Sequence, residues 1–312
     1  MIELASKNKM INTKKCLIID GNNLIHRTFH ASKKLEWMGE NKEVYIFLKV
    51  FISVIKKENY EKLFIVFDEG KETFRNVINK DYKANREKSS DELISHLKNI
   101  QDLINKSGLF FTSNKNFEAD DLIASFIKKF KEKSDFEFHI FSQDKDLFQL
   151  LDKNVYILRY DKNKSLEKFG TEEFFKINNF SHNNFKYYLA LMGDKVDNIK
   201  GIQGIGEKRA KYIVENFQNV ENTFLNISSI PKEIKSAIEG KEKEIEENLK
   251  MVSLEENIEI KKWEEYNFSW ESFKNEYYLI NFCKERKLNN ILLSLNGTQN
   301  RTRTDTEKSI GS

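Results

Sequence analysis

The chain has 312 residues, a formal net charge of +3, 39% hydrophobic and 32% charged residues. That is length for about two domains, and too much Ile, Leu and Phe for a disordered polypeptide. No run approaches the ~18 apolar residues of a membrane-spanning helix, and the opening MIELASKNKMINTKK lacks the apolar stretch of a secretory leader, so the expectation is a cytoplasmic protein away from membranes. Cys16 and Cys283 lie too far apart to suggest a zinc pattern or a disulfide framework.

In chain order, short β-branched and aromatic runs at Cys16 to Ile19, Leu63 to Phe67, Phe138 to Phe141 and, more weakly, Val155 to Leu158 predict buried strands. Between them Ala119, Leu122, Ile123, Phe126, Ile127 and Phe130 recur at helical spacing. Strands alternating with helices predict an α/β fold, a mostly parallel central sheet flanked by helices. From about Thr171 helical patterns dominate, including Phe185 to Met192, Lys208 to Asn216 and Glu271 to Glu285, which predicts a helical subdomain. The polar stretch 297–312 has no periodicity and is expected to be an unstructured tail. Only one proline, Pro231, occurs, and Lys and Asn are abundant, so no single Lys or Asn carries weight on its own.

The acids are placed more tellingly than the net charge suggests. Asp20 follows one predicted strand, Asp68 the next, and Asp144 with Asp146 a third, so three strand ends deliver carboxylates to the edge of a parallel sheet where ligands bind. An isolated Asp there is ordinarily a turn residue or helix cap; three together ask for more. Glu118, Asp120 and Asp121 open the periodic helix, more negative charge in one turn than the helix dipole needs. Asp194 and Asp197 would share one face if their segment were helical. These nine carboxylates, without His or Cys at ligand spacing, describe a site for Mg²⁺ or Mn²⁺ rather than zinc.

Setting the nine aside leaves 52 Lys and Arg against 40 Asp and Glu, a charge of +12 that suits a polyanionic substrate. Between Lys71 and Lys88, Phe74, Tyr82, Lys83 and Arg86 mix aromatic and cationic side chains, as single-strand binding surfaces do, although a solvated loop would have the same composition. Gly201, Gly204 and Gly206 precede a helical pattern and could present backbone N–H groups to a phosphate, or simply turn the chain between two helices.

The segments IDGNNLIHRTFHA (Ile19 to Ala31), VFDEGKETFRNVINKDYKANR (Val66 to Arg86), FEADDLIASF (Phe117 to Phe126), SQDKDLFQLL (Ser142 to Leu151) and LMGDKVDNIKGIQGIGEKRA (Leu191 to Ala210) together resemble the 5′-nuclease domain of bacterial DNA polymerase I and related flap endonucleases. The resemblance runs from about Lys14 to Leu295 and weakens after Val220. It implies a nuclease core over 1–180 with a helical arch at about 71–100, and a helical subdomain over 181–296 with a helix-hairpin-helix element at about 198–212. It implies that Asp20, Asp68, Glu118, Asp120, Asp121, Asp144, Asp146, Asp194 and Asp197 hold two or more Mg²⁺ or Mn²⁺ ions, with K⁺ at the helix-hairpin-helix. It further implies that Lys83 and Arg86 act on the scissile phosphate beside Asp144 and Asp146. Arg27, Arg75, Tyr82, Lys83, Arg86, Gly201, Gly204, Gly206 and Lys208 would meet DNA, Tyr82 by stacking on a base.

The activity implied is two-metal hydrolysis of DNA near a 5′ end, at flaps, nicks or RNA primers, during replication and repair. A non-cutting flap or junction binder and a PIN-type ribonuclease are the competing readings. A monomer is expected, working beside a separate DNA polymerase and ligase if the chain ends at residue 312. Lys195 and Lys200 depart from the family pattern, which commonly has a small residue and a proline there.

Overall fold

In this computed structural model the described residues are 13–297 apart from 36–40, 70–71, 162 and 164. The expected tail lies almost wholly outside them, as do the first residues of the expected core and the start of the expected arch. β1 (Lys14–Asp20) is followed by α1 (Gly21–Ser32), α2 (Lys42–Ile55), β2 (Tyr60–Asp68), α3 (Phe74–Ile78) and α4 (Asp91–Lys106). Then come β3 (Phe111–Asn114), α5 (Ala119–Lys131), β4 (Phe136–Phe141), β5 (Val155–Tyr160) and β6 (Leu166–Phe169).

The six strands form one sheet in the order β3-β2-β1-β4-β5-β6, parallel except for β6. β1 lies at its centre, and Cys16, Leu17, Ile18 and Ile19 are fully buried because helices cover both faces. Chain order runs from β1 toward β3 on one side and resumes with β4 on the other. The carboxyl ends of β1 and β4 therefore border a topological switch point, the crevice where open α/β sheets bind ligands.

One face packs on α5, where Phe126 stacks on Phe64 of β2 at 4.1 Å between ring centres. The same core continues into the helical half, through Phe174, Leu191, Ile213 and Ile245. The other face packs on α1, α2 and α4 and on residues near the chain's end such as Leu279 and Ile291.

The second half comprises α6 (Thr171–Asn178), α7 (Phe185–Met192), a two-stranded hairpin of β7 (Gly193–Asp194) and β8 (Ile199–Lys200), and α8 (Glu207–Phe217). It continues with α9 (Val220–Leu225), α10 (Lys232–Ile238), α11 (Glu242–Val252), α12 (Trp270–Lys274), α13 (Tyr277–Glu285) and α14 (Asn289–Leu295). Two readings of the sequence are refined here. The helical pattern over Glu271 to Glu285 is two helices, because Glu276 caps α13 by accepting the Leu279 N–H at 2.7 Å. Asp194 and Asp197 lie on the β7–β8 hairpin rather than on a helix: the Asp194 carboxylate accepts the N–H groups of Val196 and Asp197, which curls the chain into a turn.

Gly193 and Gly201 bring this hairpin against the end of α7. A Cβ on Gly201 would lie 2.1 Å from the Met192 carbonyl oxygen, and one on Gly193, at φ +69°, 2.2 Å from the Gly201 nitrogen. No helix among the described residues is long and apolar enough to cross a membrane.

Candidate functional site

Asp20 ends β1 and caps α1, its carboxylate accepting the Asn23 N–H at 3.0 Å and the Ser142 hydroxyl at 2.9 Å. Cap and site residue are thus one side chain. Asp68 ends β2 and accepts the Ala119 N–H at 2.7 Å, which draws the first turn of α5 toward the sheet edge. Beyond β4, the Ser142 hydroxyl accepts the Asp144 N–H, and the Asp144 carboxylate accepts the Asp146 N–H. Hydrogen bonds thus tie the ends of β1 and β4 to each other and the end of β2 to α5, and a carboxylate oxygen has lone pairs beyond those bonds.

Two adjoining pockets result. The larger, about 230 Å³, is lined by Asp20, Asp68, Glu118, Asp120 and Asp144, with His26, Lys83 and Arg86. The smaller is lined by Asp120, Asp146, Asp194 and Asp197, with Arg75 and Tyr82. Asp120 borders both. The structure thus gathers eight of the nine sequence-derived carboxylates around the two pockets.

The ninth, Asp121, has another partner. Oxygens of Glu118, Asp120 and Asp121 lie within 4.8 Å of one another, a spacing compatible with a metal ion. Yet Asp121 is fully buried, and its two oxygens already accept four donors: Arg75 twice, and the N–H groups of Glu118 and Glu255. A carboxylate so saturated has little left for a cation.

Arg75 and Tyr82, expected to meet DNA, likewise have their side chains engaged within the protein. Arg75 is 2% exposed and binds Asp121, Glu118 and the carbonyls of Met251 and Ser253. Tyr82 is 4% exposed, with its hydroxyl, which has one proton to give, 2.9 Å from carboxylate oxygens of both Glu118 and Asp197. Neither side chain presents a face to a base or a phosphate.

Lys83 and Arg86 do face the carboxylates. The Lys83 ammonium bonds Glu118 and lies 3.8 Å from Asp197, and Arg86 pairs with Asp197. Arg27 lies over the Tyr160 ring, 4.3 Å from its centre, while Gly204, Gly206 and Lys208 are exposed at the start of α8 and Gly201 is half-buried. Sequence reasoning singled out neither Ser142 nor Asn22 and Asn23, whose amide oxygens accept the N–H groups of Asp68 and Gln143. Their positions within IDGNN and SQDKD, next to the acids, were the available signal.

Crowding leaves its mark on the titration of the acids. Burial pushes Asp20 up to about 7, with Asp68 and Asp144 adding repulsion against the hydrogen bonds from Asn23 and Ser142. Burial also pushes Asp146 up to about 8, reinforced by Asp144, Asp197 and Asp194. Asp120 is raised well above the usual range by burial and then by Asp121 and Glu118, and Asp68 and Asp144 are raised too. For Lys83 burial opposes the charge, but Glu118 and Asp197 outweigh it and raise its pKa. Protein cations thus offset the negative charge only in part, and an all-oxygen donor set under mutual repulsion fits a hard divalent cation.

A family model described as the 5′-3′ exonuclease N-terminal resolvase-like domain matches residues 15–178, and one described as the 5′-3′ exonuclease C-terminal SAM fold matches 180–276. The chain is 38% identical over 217 residues to the 5′-3′ exonuclease of Mycoplasmopsis pulmonis, covering 70% of this chain and 71% of that one. It is 35% identical over 270 residues to the DNA polymerase I of Borreliella burgdorferi, covering 84% of this chain but only 29% of the polymerase. A crystal structure of the bacteriophage T5 D15 flap endonuclease, a pseudo-enzyme-product complex with DNA and metal ions, superposes with a TM-score of 0.64 at 22% identity, over 91% of this chain and all of the other. At that identity the superposition bears on the fold alone. With both family models matched in order and the acidic sheet edge in place, this chain belongs to the 5′-3′ exonuclease family.

Proposed function

We propose that the chain hydrolyses DNA phosphodiesters close to a 5′ end, at flaps, nicks and primer termini, in replication and repair. The observation that carries this reading is the pair of adjoining acidic pockets at the sheet's switch point, with Lys83 and Arg86 set over them. Asp20, Asp68, Glu118, Asp120 and Asp144 would hold one divalent cation, and Asp120, Asp146, Asp194 and Asp197 a second. When bound, such ions supply a water of lowered pKa and positive charge at the leaving oxygen.

The chain's own residues do the rest. Ser142, Asn22 and Asn23 keep the strand ends in register, so the carboxylates hold their spacing. Lys83 and Arg86 would exchange their carboxylate partners for the non-bridging oxygens of the scissile phosphate and offset the charge that builds there. Lys208 and the amides of the Gly201 to Gly206 turn could grip a duplex backbone, and Arg27 on α1 would add a further phosphate contact. Tyr82 and Arg75 anchor the segment that carries Lys83 and Arg86 to Glu118, Asp121 and Asp197.

The test offers 5′-labelled flap DNA, nicked duplex DNA and single-stranded RNA in Mg²⁺ and maps the ends produced. A short product cut near the flap junction, with a 5′-phosphate on the remaining strand, supports the reading. Equal or faster cutting of single-stranded RNA would replace it with a ribonuclease.

A further inference from the structure

Two irregular segments meet above the carboxylates: residues 79–86, which carry Lys83 and Arg86, and the 193–200 hairpin, which carries Asp194 and Asp197. Besides the ion pairs and the Tyr82 hydroxyl bond to the Asp197 carboxylate, three hydrogen bonds to main-chain carbonyls join them. The Lys83 N–H donates to the Asp197 carbonyl at 3.0 Å, the Asn85 side-chain amide to the Lys195 carbonyl at 2.7 Å, and the Asn198 side-chain amide to the Asp81 carbonyl at 2.7 Å.

Both Lys83 and Asn198 sit in the left-handed backbone region, at φ +56° and +59°. Asn tolerates that region, whereas a lysine there is strained and stays only where its surroundings hold it. What holds it is the hairpin. Asp197 takes the Lys83 N–H, and the next residue, Asn198, takes the carbonyl two positions before Lys83. Two successive hairpin residues thus grip both ends of the turn from which the Lys83 ammonium reaches Glu118.

We propose that Asn198 is a positioning residue: it latches the 81–83 turn to the metal-site hairpin and so aims Lys83 at the reacting phosphate. The position asks for two properties at once, a positive φ and an amide donor directed at Asp81. Asn supplies both, Gly only the first, and Asp keeps the shape while turning an acceptor toward a carbonyl. Asn85 makes a similar bond from an exposed position and is the minor contributor. This inference rests on the nuclease reading for its catalytic consequence, and on the hairpin geometry alone for its structural one.

Two variants separate these. Asn198→Gly keeps the backbone conformation and removes the donor; Asn198→Asp reverses the polarity and serves if the glycine variant fails to fold. Hydrogen exchange on the metal-free protein is expected to quicken about tenfold at the amides of residues 79–86, with the central sheet unchanged.

In single-turnover cleavage, Asn198→Gly should lower the rate about tenfold with little change in flap affinity, and add nothing in a Lys83→Ala background. Unchanged exchange over 79–86 overturns the latch. Losses from Asn198→Gly and Lys83→Ala that multiply overturn the claim that Asn198 works through Lys83. If the unaltered chain does not cut DNA, the nuclease reading fails while the exchange comparison still decides the latch.

Discussion

Arg75 and Asp121 face each other through two parallel hydrogen bonds of 2.7 and 2.8 Å, with both side chains removed from water. The remaining Arg75 donors hold Glu118 and the carbonyls of Met251 and Ser253, so one guanidinium ties α3, α5 and the end of α11 together. Arg75→Ala would leave Asp121 buried without its cation and should cost about 3–5 kcal/mol of stability, read from urea unfolding. A loss below about 1 kcal/mol accompanied by weakened DNA binding would restore the DNA-contact role expected from the sequence.

The raised acids make stability depend on pH in a defined direction. In the folded chain burial pushes Asp20 up to about 7 and Asp146 up to about 8, from the ordinary aspartate value of 3.8. The folded state therefore binds more protons than the unfolded one. The stability they contribute is fully present below about pH 4 and is lost as pH rises to 7 and 8. Divalent cations compete with those protons, so Mg²⁺ or Mn²⁺ should raise the melting temperature more at pH 8 than at pH 6. A metal-induced shift that is equal at both pH values, or larger at pH 6, would contradict the assignment of these carboxylates to cations.

Gly201→Ala should be costly for a reason unrelated to catalysis. Its Cβ would fall 2.1 Å from the Met192 carbonyl oxygen, a main-chain atom that cannot swing away. The expected loss is about 2 kcal/mol or more, through separation of the hairpin from α7. Thermal unfolding checks it, and an unchanged melting temperature would mean that the turn is looser than the structure shows.

Lys83→Ala removes the cation placed over Glu118 and near Asp197. Single-turnover cleavage of flap DNA should slow about 100-fold or more, as for loss of one charge-stabilising donor, with flap affinity largely kept. An unchanged rate would deny Lys83 any part in the chemical step.

What the sequence revealed and what it hid follow from the range of the interactions. Asp20 and Asp68 were legible because each ends an uninterrupted apolar run, and runs such as Cys16 to Ile19 lie in a sheet buried on both faces. β3 was missed because Phe-Thr-Ser-Asn is short and only half-buried. The hairpin at Asp194 and Asp197 was hidden because acids at i, i+3 also suit a helix, and the deciding features are an aspartate turn and the contact of Gly193 with Gly201. The burial of Arg75 and Tyr82 was not legible, because a basic segment with interleaved aromatics reads equally as a surface and as a buried clamp. Their partners Asp121 and Asp197 stand 46 and 115 residues away.

The proposed work of the acidic crevice is to cut DNA with the help of divalent cations. The most direct measurement is single-turnover cleavage of a 5′-labelled double-flap DNA in Mg²⁺ and in EDTA, beside a variant carrying Asp144→Asn and Asp146→Asn. A short product cut near the flap junction is expected in Mg²⁺ alone, and none from the variant. Tight flap binding without a cut in Mg²⁺ or Mn²⁺, or equal cutting by the variant, would contradict it.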